Sequence, residues 1–255
     1  MTKCTKCAPE RIPLKLLPER YREAVRSVIE QILSHYRSTI AFAVIGSVAE
    51  GTYGVHSDVD LLWIMRGRLP RRYWRIIELP KDPRVELVAL PKRSIEEHFQ
   101  HATTMAHAIQ RSIVLYDPCG YLASLKQREL GLPDHEWMVH WFSHWHRFYR
   151  WGLEMLRRQR RHHRKYCRRG RKCYCDVDDT LARVAVNFAI LLVECYGIVP
   201  THKRALWRAF RTITRSQRWR RAFRMALRIH REERWIALNK AELIASLAKW
   251  LRRRL

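Results

Sequence analysis

Acidic residues are few in this chain, and long apolar runs are missing. Asp and Glu together number 24 against 50 Lys and Arg, a formal net charge of +26 over 255 residues. Such an excess excludes a surface that repels anions. It favours a polyanionic partner through long-range steering and counterion release. The longest apolar run, Val184 to Val193, is broken by Asn187 and bounded by Arg183 and Glu194. It is too short for a bilayer span, which takes about 20 apolar residues. The opening residues, Met1 to Cys7, form no apolar h-region, so no secretory signal is expected. The expectation is a soluble, cytoplasmic protein. Seven cysteines are an odd number, which argues against a complete disulfide framework.

The cysteines are nevertheless grouped. Cys4 and Cys7 form a Cys-x-x-Cys pair, and Cys167, Cys173 and Cys175 lie in a strongly basic stretch. Cys4, Cys7, Cys173 and Cys175 offer a tetrathiolate zinc site that would pin the amino-terminal tail to the later part of the chain. The Cys-x-Cys spacing is atypical for zinc, so a disulfide within Cys167 to Cys175, or plain thiols, stays open. Cys119 and Cys195 read as ordinary small apolar residues. His140 and His144 are one helical turn apart but have no third ligand beside them.

The densest chemical signal lies between residues 40 and 62. An apolar strand, Ile40 to Ile45, runs into Gly46-Ser47. A small-residue loop follows, and then Asp58-Val59-Asp60 opens a second apolar run. Residues i and i+2 of a strand point to one face, so Asp58 and Asp60 project side by side. Two carboxylates that close repel unless a cation lies between them. Hard oxygen donors suit magnesium or manganese. The Gly46-Ser47 turn offers backbone N–H groups and a hydroxyl to a phosphate. Glu86, alone within Val85 to Leu90, is a third acid in an apolar run, where burial of a charge is expensive unless it is paired or metal-bound.

This pattern resembles the signature of the DNA polymerase beta-like nucleotidyltransferase superfamily: Gly-Ser, a spacer of about ten residues, then Asp-apolar-Asp-apolar, with a third carboxylate on a later strand. Residues 110–117 also resemble the closing strand of the minimal and aminoglycoside-type members. The likeness covers about residues 38–128. It implies that Gly46 lets the backbone approach a triphosphate and that Ser47 donates to a phosphate oxygen. Asp58 and Asp60 would hold magnesium, and Glu86 would complete a second metal site and help activate an acceptor hydroxyl. Arg157-x4-His162 resembles the RNase motif of helical domains that accompany minimal nucleotidyltransferases, a match that so Arg-rich a stretch produces by chance.

The periodicities predict an α/β (α+β) unit with a small sheet over residues 14–130, after a tail of residues 1–13; the resemblance implies that this unit is a nucleotidyltransferase domain and that its sheet is mixed. An all-α bundle follows over residues 131–255. Expected strands are 40–45, 59–65, 84–90 and 113–116. Expected helices are 18–36, 48–52, 71–79, 94–99 (Ser94 and Glu97 in capping-box spacing), 103–109, 121–130, 134–164, 202–212, 217–231 and 240–253. Another helix, capped by Asp176, is expected to form the buried centre of the bundle and to stop at Gly197. Trp137, Trp141, Trp145, Phe148 and Gly152 are expected to form the buried stripe of the long helix. The predicted activity is transfer of a nucleoside monophosphate from a nucleoside triphosphate to a hydroxyl on RNA, a small molecule or a protein. The alternative is an inactive nucleotidyltransferase-fold module that binds nucleic acid or acts like an antitoxin.

Overall fold

The computed structural model describes residues 12–55, 57–70, 72–167, 175–232 and 235–255. The chain divides into two compact units, one up to Gly131 and one from Leu132.

The first unit runs α1 (Glu19–His35), β1 (Thr39–Ile45), α2 (Gly46–Ala49), β2 (Val59–Met65), β3 (Val85–Pro91), α3 (Lys92–Gln100), α4 (Thr104–Gln110), β4 (Ile113–Tyr116) and α5 (Tyr121–Lys126). The four strands form a mixed sheet in the order β3-β2-β1-β4. β1 is antiparallel to β2 and β4, and β2 is parallel to β3. Strand alternation divides the apolar residues between two layers. Phe42 and Val44 of β1 and Val59, Leu61, Trp63 and Met65 of β2 pack with Tyr21, Val25, Val28, Ile29 and Ile32 of α1. Ala41, Ala43, Ile45, Leu62 and Ile64 share the other layer with residues of α3, α4 and α5, among them Phe99, Ile109 and Leu122. Each large apolar side chain so buried contributes about 1.5–3 kcal/mol. Trp63 is fully buried, and its indole N–H donates to Thr39 Oγ1 at 3.1 Å.

Three expectations for this unit are corrected. Residues 72–79 do not form the helix expected over 71–79. A single 3-10 turn, Tyr73–Arg75, stands there, entered through Arg72 in the left-handed region at φ 66°. Ser94 caps nothing, because α3 starts at Lys92 with Pro91 as its N-cap and Ser94 lies inside the helix. α5 stops at Lys126 with Gln127 as its C-cap residue, and the Gln110 amide donates to the Arg128 carbonyl just beyond it.

The second unit runs α6 (His135–Tyr166), β5 (Asp176–Asp178), α7 (Thr180–Cys195), α8 (Lys203–Ile213), α9 (Gln217–Glu232), β6 (Trp235–Ala237) and α10 (Leu238–Arg252). Asp134 caps α6, its Oδ1 accepting from the Trp137 N–H at 2.7 Å. α7 is buried almost all round, and its core cluster includes residues of α6, α8, α9 and α10. A glycine at 152 lets α6 approach it: a Cβ there would lie 2.9 Å from Leu181 Cδ2.

The unit is a helical bundle, as expected, with one short ladder added to it. β5 and β6 pair antiparallel, with Val177 opposite Ile236. Asp176 therefore sits in a strand instead of capping a helix. Asp179 is the N-cap residue of α7, and Asp178 Oδ1 accepts from the Thr180 N–H at 3.1 Å. The buried residues of α6 are Tyr149, Gly152 and Leu156. Phe148 is exposed, and Trp137 stacks on Trp141 with ring centroids 5.5 Å apart. Of the expected stripe, Gly152 is buried and Trp141 and Trp145 pack against the core, while Phe142, Tyr149 and Leu156 join them there in place of Phe148.

Candidate active site

The chemistry-bearing residues of the first unit gather at one end of the sheet. β1 ends at Ile45, which pairs with Asp60 of β2. The chain then turns at Gly46, whose φ of +69° favours glycine. A Cβ at this position would lie 2.5 Å from Asp60 Oδ2. The turn therefore runs directly against the Asp60 carboxylate, and a side chain would occupy the space between them. Asp60 in turn lies opposite Glu86 in the parallel β2–β3 ladder, where neighbouring strands are about 4.8 Å apart. Asp58 precedes β2. The Val59 N–H donates to the Arg84 carbonyl at 3.0 Å and carries the ladder to that point. By alternation Asp58 and Asp60 share the face that Leu62 and Ile64 present to α3 and α4.

Burial differs among these acids. Asp58 and Asp60 are half-buried, whereas Glu86 is exposed on an edge strand. The expectation that Glu86 bears a burial cost is therefore corrected: an apolar run at a sheet edge leaves one face wet. Asp58, Asp60 and Glu86 are not brought together as a tight trio. Among the described residues, the three-residue group with ligand atoms within 4.8 Å of one another is His162, Cys167 and Cys175. The donor set at the sheet end nonetheless fits a hard divalent cation. It consists of carboxylate oxygens, two of them on one face, beside a turn cleared of side-chain bulk.

Long-range contacts hold the loop between Gly46 and Asp58. The Thr52 N–H donates to the Ser47 carbonyl at 2.9 Å, and the Ser57 hydroxyl accepts from the Gly54 N–H at 2.8 Å. Arg20 of α1 donates to the carbonyls of Gly54, at 2.8 Å, and of Val55. The Tyr21 hydroxyl donates to the Ser57 carbonyl at 2.7 Å. Arg111, just before β4, reaches Glu50 at 3.9 Å. Sequence reasoning passed over Arg20, Tyr21, Glu50 and Arg111. Tyr21 reads only as part of the apolar stripe of α1, and no local pattern marks partners some 35 to 60 residues away.

Of the thiols expected to bind zinc, Cys4, Cys7 and Cys173 lie outside the described residues. Cys175 is buried and has its sulfur 3.3 Å from that of Cys167. No helix among the described residues is long and apolar enough to cross a membrane.

No curated protein matches the chain. A solved spectinomycin adenyltransferase, AAD(9) from Enterococcus faecialis with ATP and spectinomycin, is 13% identical, with a TM-score of 0.52. The match covers 91% of this chain and 98% of that one. A nucleotidyltransferase-like protein from Exiguobacterium sibiricum is 15% identical over 91% of this chain and 74% of its own, with a TM-score of 0.37. Residues 25–110 match the family profile described as a nucleotidyltransferase domain. That span contains Gly46, Ser47, Asp58, Asp60 and Glu86, and it identifies the sheet-bearing part of the chain as a member of the polymerase beta-like nucleotidyltransferase domain family.

Proposed function

We propose that this protein is a metal-dependent nucleotidyltransferase that moves a nucleoside monophosphate from a nucleoside triphosphate to an acceptor hydroxyl and releases pyrophosphate. The observation that carries the reading is the Gly46–Asp60 approach. A turn free of side-chain bulk lies against a carboxylate at the end of β2, with a second carboxylate two residues earlier and a third across the ladder. The neighbouring fold of AAD(9), solved with ATP, supports a nucleoside triphosphate as donor.

In this reading the backbone at Gly46 lies along the triphosphate, and Ser47 donates its hydroxyl to a phosphate oxygen. Asp58 and Asp60 would hold magnesium or manganese, which would supply positive charge against that of the phosphates. The acceptor oxygen attacks the α-phosphorus, and the bond from that phosphorus to the pyrophosphate oxygen breaks in line. Glu86, exposed at the edge, stands where it can take the proton lost by the acceptor hydroxyl.

The acceptor class is drawn from charge. A net +26 favours a structured RNA over a neutral small molecule or a protein. Aromatic rings lie among the cations: Arg224 stands over the Trp207 ring at 4.8 Å and Arg218 over the Trp219 ring at 4.9 Å.

The test is transfer of label from each of the four α-labelled nucleoside triphosphates into total cellular RNA and into a metabolite extract, with magnesium or manganese. The expected result is label in RNA with matching pyrophosphate. Asp58→Asn and Asp60→Asn should each reduce it about 1,000-fold or more. Undiminished turnover in both variants removes the assignment. Label in metabolites alone, with RNA binding no tighter than heparin binding at moderate salt, moves the acceptor to a small molecule.

A further inference from the structure

The end of α6 and the start of β5 bring together three groups that nucleotidyl transfer does not use. Cys167 is the C-cap residue of α6, and His162 lies one turn and a half earlier on the same helix. Cys175 directly precedes β5. Cys167 Sγ and Cys175 Sγ are 3.3 Å apart, and Cys175 Sγ is 3.5 Å from His162 Nδ1. One ligand atom from each lies within 4.8 Å of the other two.

We propose that His162, Cys167 and Cys175 bind a zinc ion that clips the end of α6 to the β5–β6 ladder. The distances suit the chemistry. Zn–S bonds of about 2.3 Å and Zn–N bonds of about 2.0 Å at tetrahedral angles put sulfur and nitrogen ligands about 3.5 Å apart and two sulfurs about 3.7 Å apart. The donors are two thiols and an imidazole, with no carboxylate in the group. That set is soft to borderline and selects zinc over magnesium or calcium. The location gives the ion a structural task. Cys175 is 4% exposed, and Val177, two residues on, belongs to the core of the second unit. His162 and Cys167 are at the exposed end of a 32-residue helix. A bond from ion to each side joins the part of α6 that has no apolar anchor to a strand that has one. Three protein donors leave the fourth corner of the tetrahedron to another ligand, water or thiolate. The site is separate from the acids of the first unit and does not rest on their assigned role.

The pairing also differs from the one that cysteine spacing suggests. Spacing pairs Cys173 with Cys175 and both with Cys4 and Cys7. The structure places Cys175 beside Cys167 and adds a histidine that spacing alone would assign to a chance Arg-x4-His match.

The test is metal analysis of the full chain purified under reducing conditions, followed by replacement of its metal with cobalt. The expected content is about one equivalent of zinc per chain. The cobalt form should show thiolate-to-cobalt charge transfer in the near ultraviolet and the visible bands of a tetrahedral site. His162→Ala, Cys167→Ser and Cys175→Ser should each reduce zinc content at least about fivefold, and Cys195→Ser and Asp60→Asn should leave it unchanged. Because Cys175→Ser places a hydroxyl in the core, the surface variant His162→Ala carries the decision, with circular dichroism as the check on its fold. Chelation of the intact chain should lower its thermal midpoint by about 5 °C or more, reversed by zinc alone. Less than about a tenth of an equivalent, with added zinc giving no shift in midpoint, overturns the proposal. So does zinc that survives His162→Ala but is lost in the Cys4→Ser/Cys7→Ser pair, since the ion would then lie in the tetrathiolate arrangement. A disulfide between Cys167 and Cys175 that persists in the chain purified under reducing conditions overturns it as well.

Discussion

The two units divide the charge of the chain unequally. Residues 1–131 hold 20 Lys and Arg against 14 Asp and Glu, whereas residues 132–255 hold 30 against 10. The unit with the sheet is nearly balanced and keeps its half-buried acids, Asp58 and Asp60, at one strand end. The helical unit carries most of the excess, chiefly on exposed arginines of α6, α8 and α9. Most of the excess positive charge and the half-buried acids are thereby kept in different parts of the chain. The separation has a physical motive. Cations packed among Asp58, Asp60 and Glu86 would compete with a metal for the same oxygens, whereas on helix surfaces they act over a Debye length of about 8 Å and more.

A glycine in each unit sharpens the comparison, because each fills a tight space for a different reason. Gly46→Ala puts a methyl 2.5 Å from Asp60 Oδ2 at φ +69°, and it should cut nucleotidyl transfer about 100-fold. The cost in stability should be only about 1–2 kcal/mol. Retention of full turnover would break the link between that turn and the chemistry. Gly152→Ala puts a methyl 2.9 Å from Leu181 Cδ2 in the helical core. It should destabilise the protein by about 1–3 kcal/mol, measured by urea denaturation, while turnover per folded molecule changes less than about twofold.

The next effect separates the two strands that carry acids. Glu86→Gln should lower the rate about 100-fold, the low end for a general base and short of the loss at Asp60. An equal loss in a rate assay would show that the exposed edge acid matters as much as its half-buried neighbour.

The smallest effect asks whether the units share one response to acid. Burial lowers the pKa of His98 in the first unit, opposed by Glu97 and reinforced by His101. Burial likewise lowers the pKa of His230 in the second, with Lys203 and Arg183 adding to it. A folded-state value below the unfolded value near 6.5 means that the unfolded chain binds more protons. Stability is therefore fully present above about pH 6.5 and is lost as pH falls below it. Thermal midpoints measured from pH 7.5 to 5.5 should fall, and His98→Gln and His230→Gln should each flatten part of the drop. A midpoint that rises on acidification would contradict both assignments.

Much of the first unit was legible because its signals are local. β2 is found at Val59–Met65 and β4 at Ile113–Tyr116, both as periodicity and apolar runs predict. The Gly-Ser turn, the Asp58/Asp60 spacing and the Asp134 cap are patterns within a few residues. What stayed hidden depends on distance along the chain. The register that sets Asp60 opposite Glu86 and the anchoring of the 52–57 loop by Arg20 and Tyr21 have no local marker. Three-residue strands such as β5 and β6 are too short to show a period of two. The long helix was legible in part. Trp141, Trp145 and Gly152 of the expected stripe meet the core, whereas Phe148 is exposed and Phe142, Tyr149 and Leu156 pack in its stead.

The β5–β6 ladder also bears on the order of folding. Asp176 pairs with Ala237 and Asp178 with Trp235, so three residue pairs close a loop that contains α7, α8 and α9. Closing a flexible loop of that length costs about (3/2)RT ln n before any contact compensates. So small a ladder cannot nucleate the unit. It has to form after α7 has collected α9 and α10 around it, and its amides should exchange with solvent through openings that leave those helices intact.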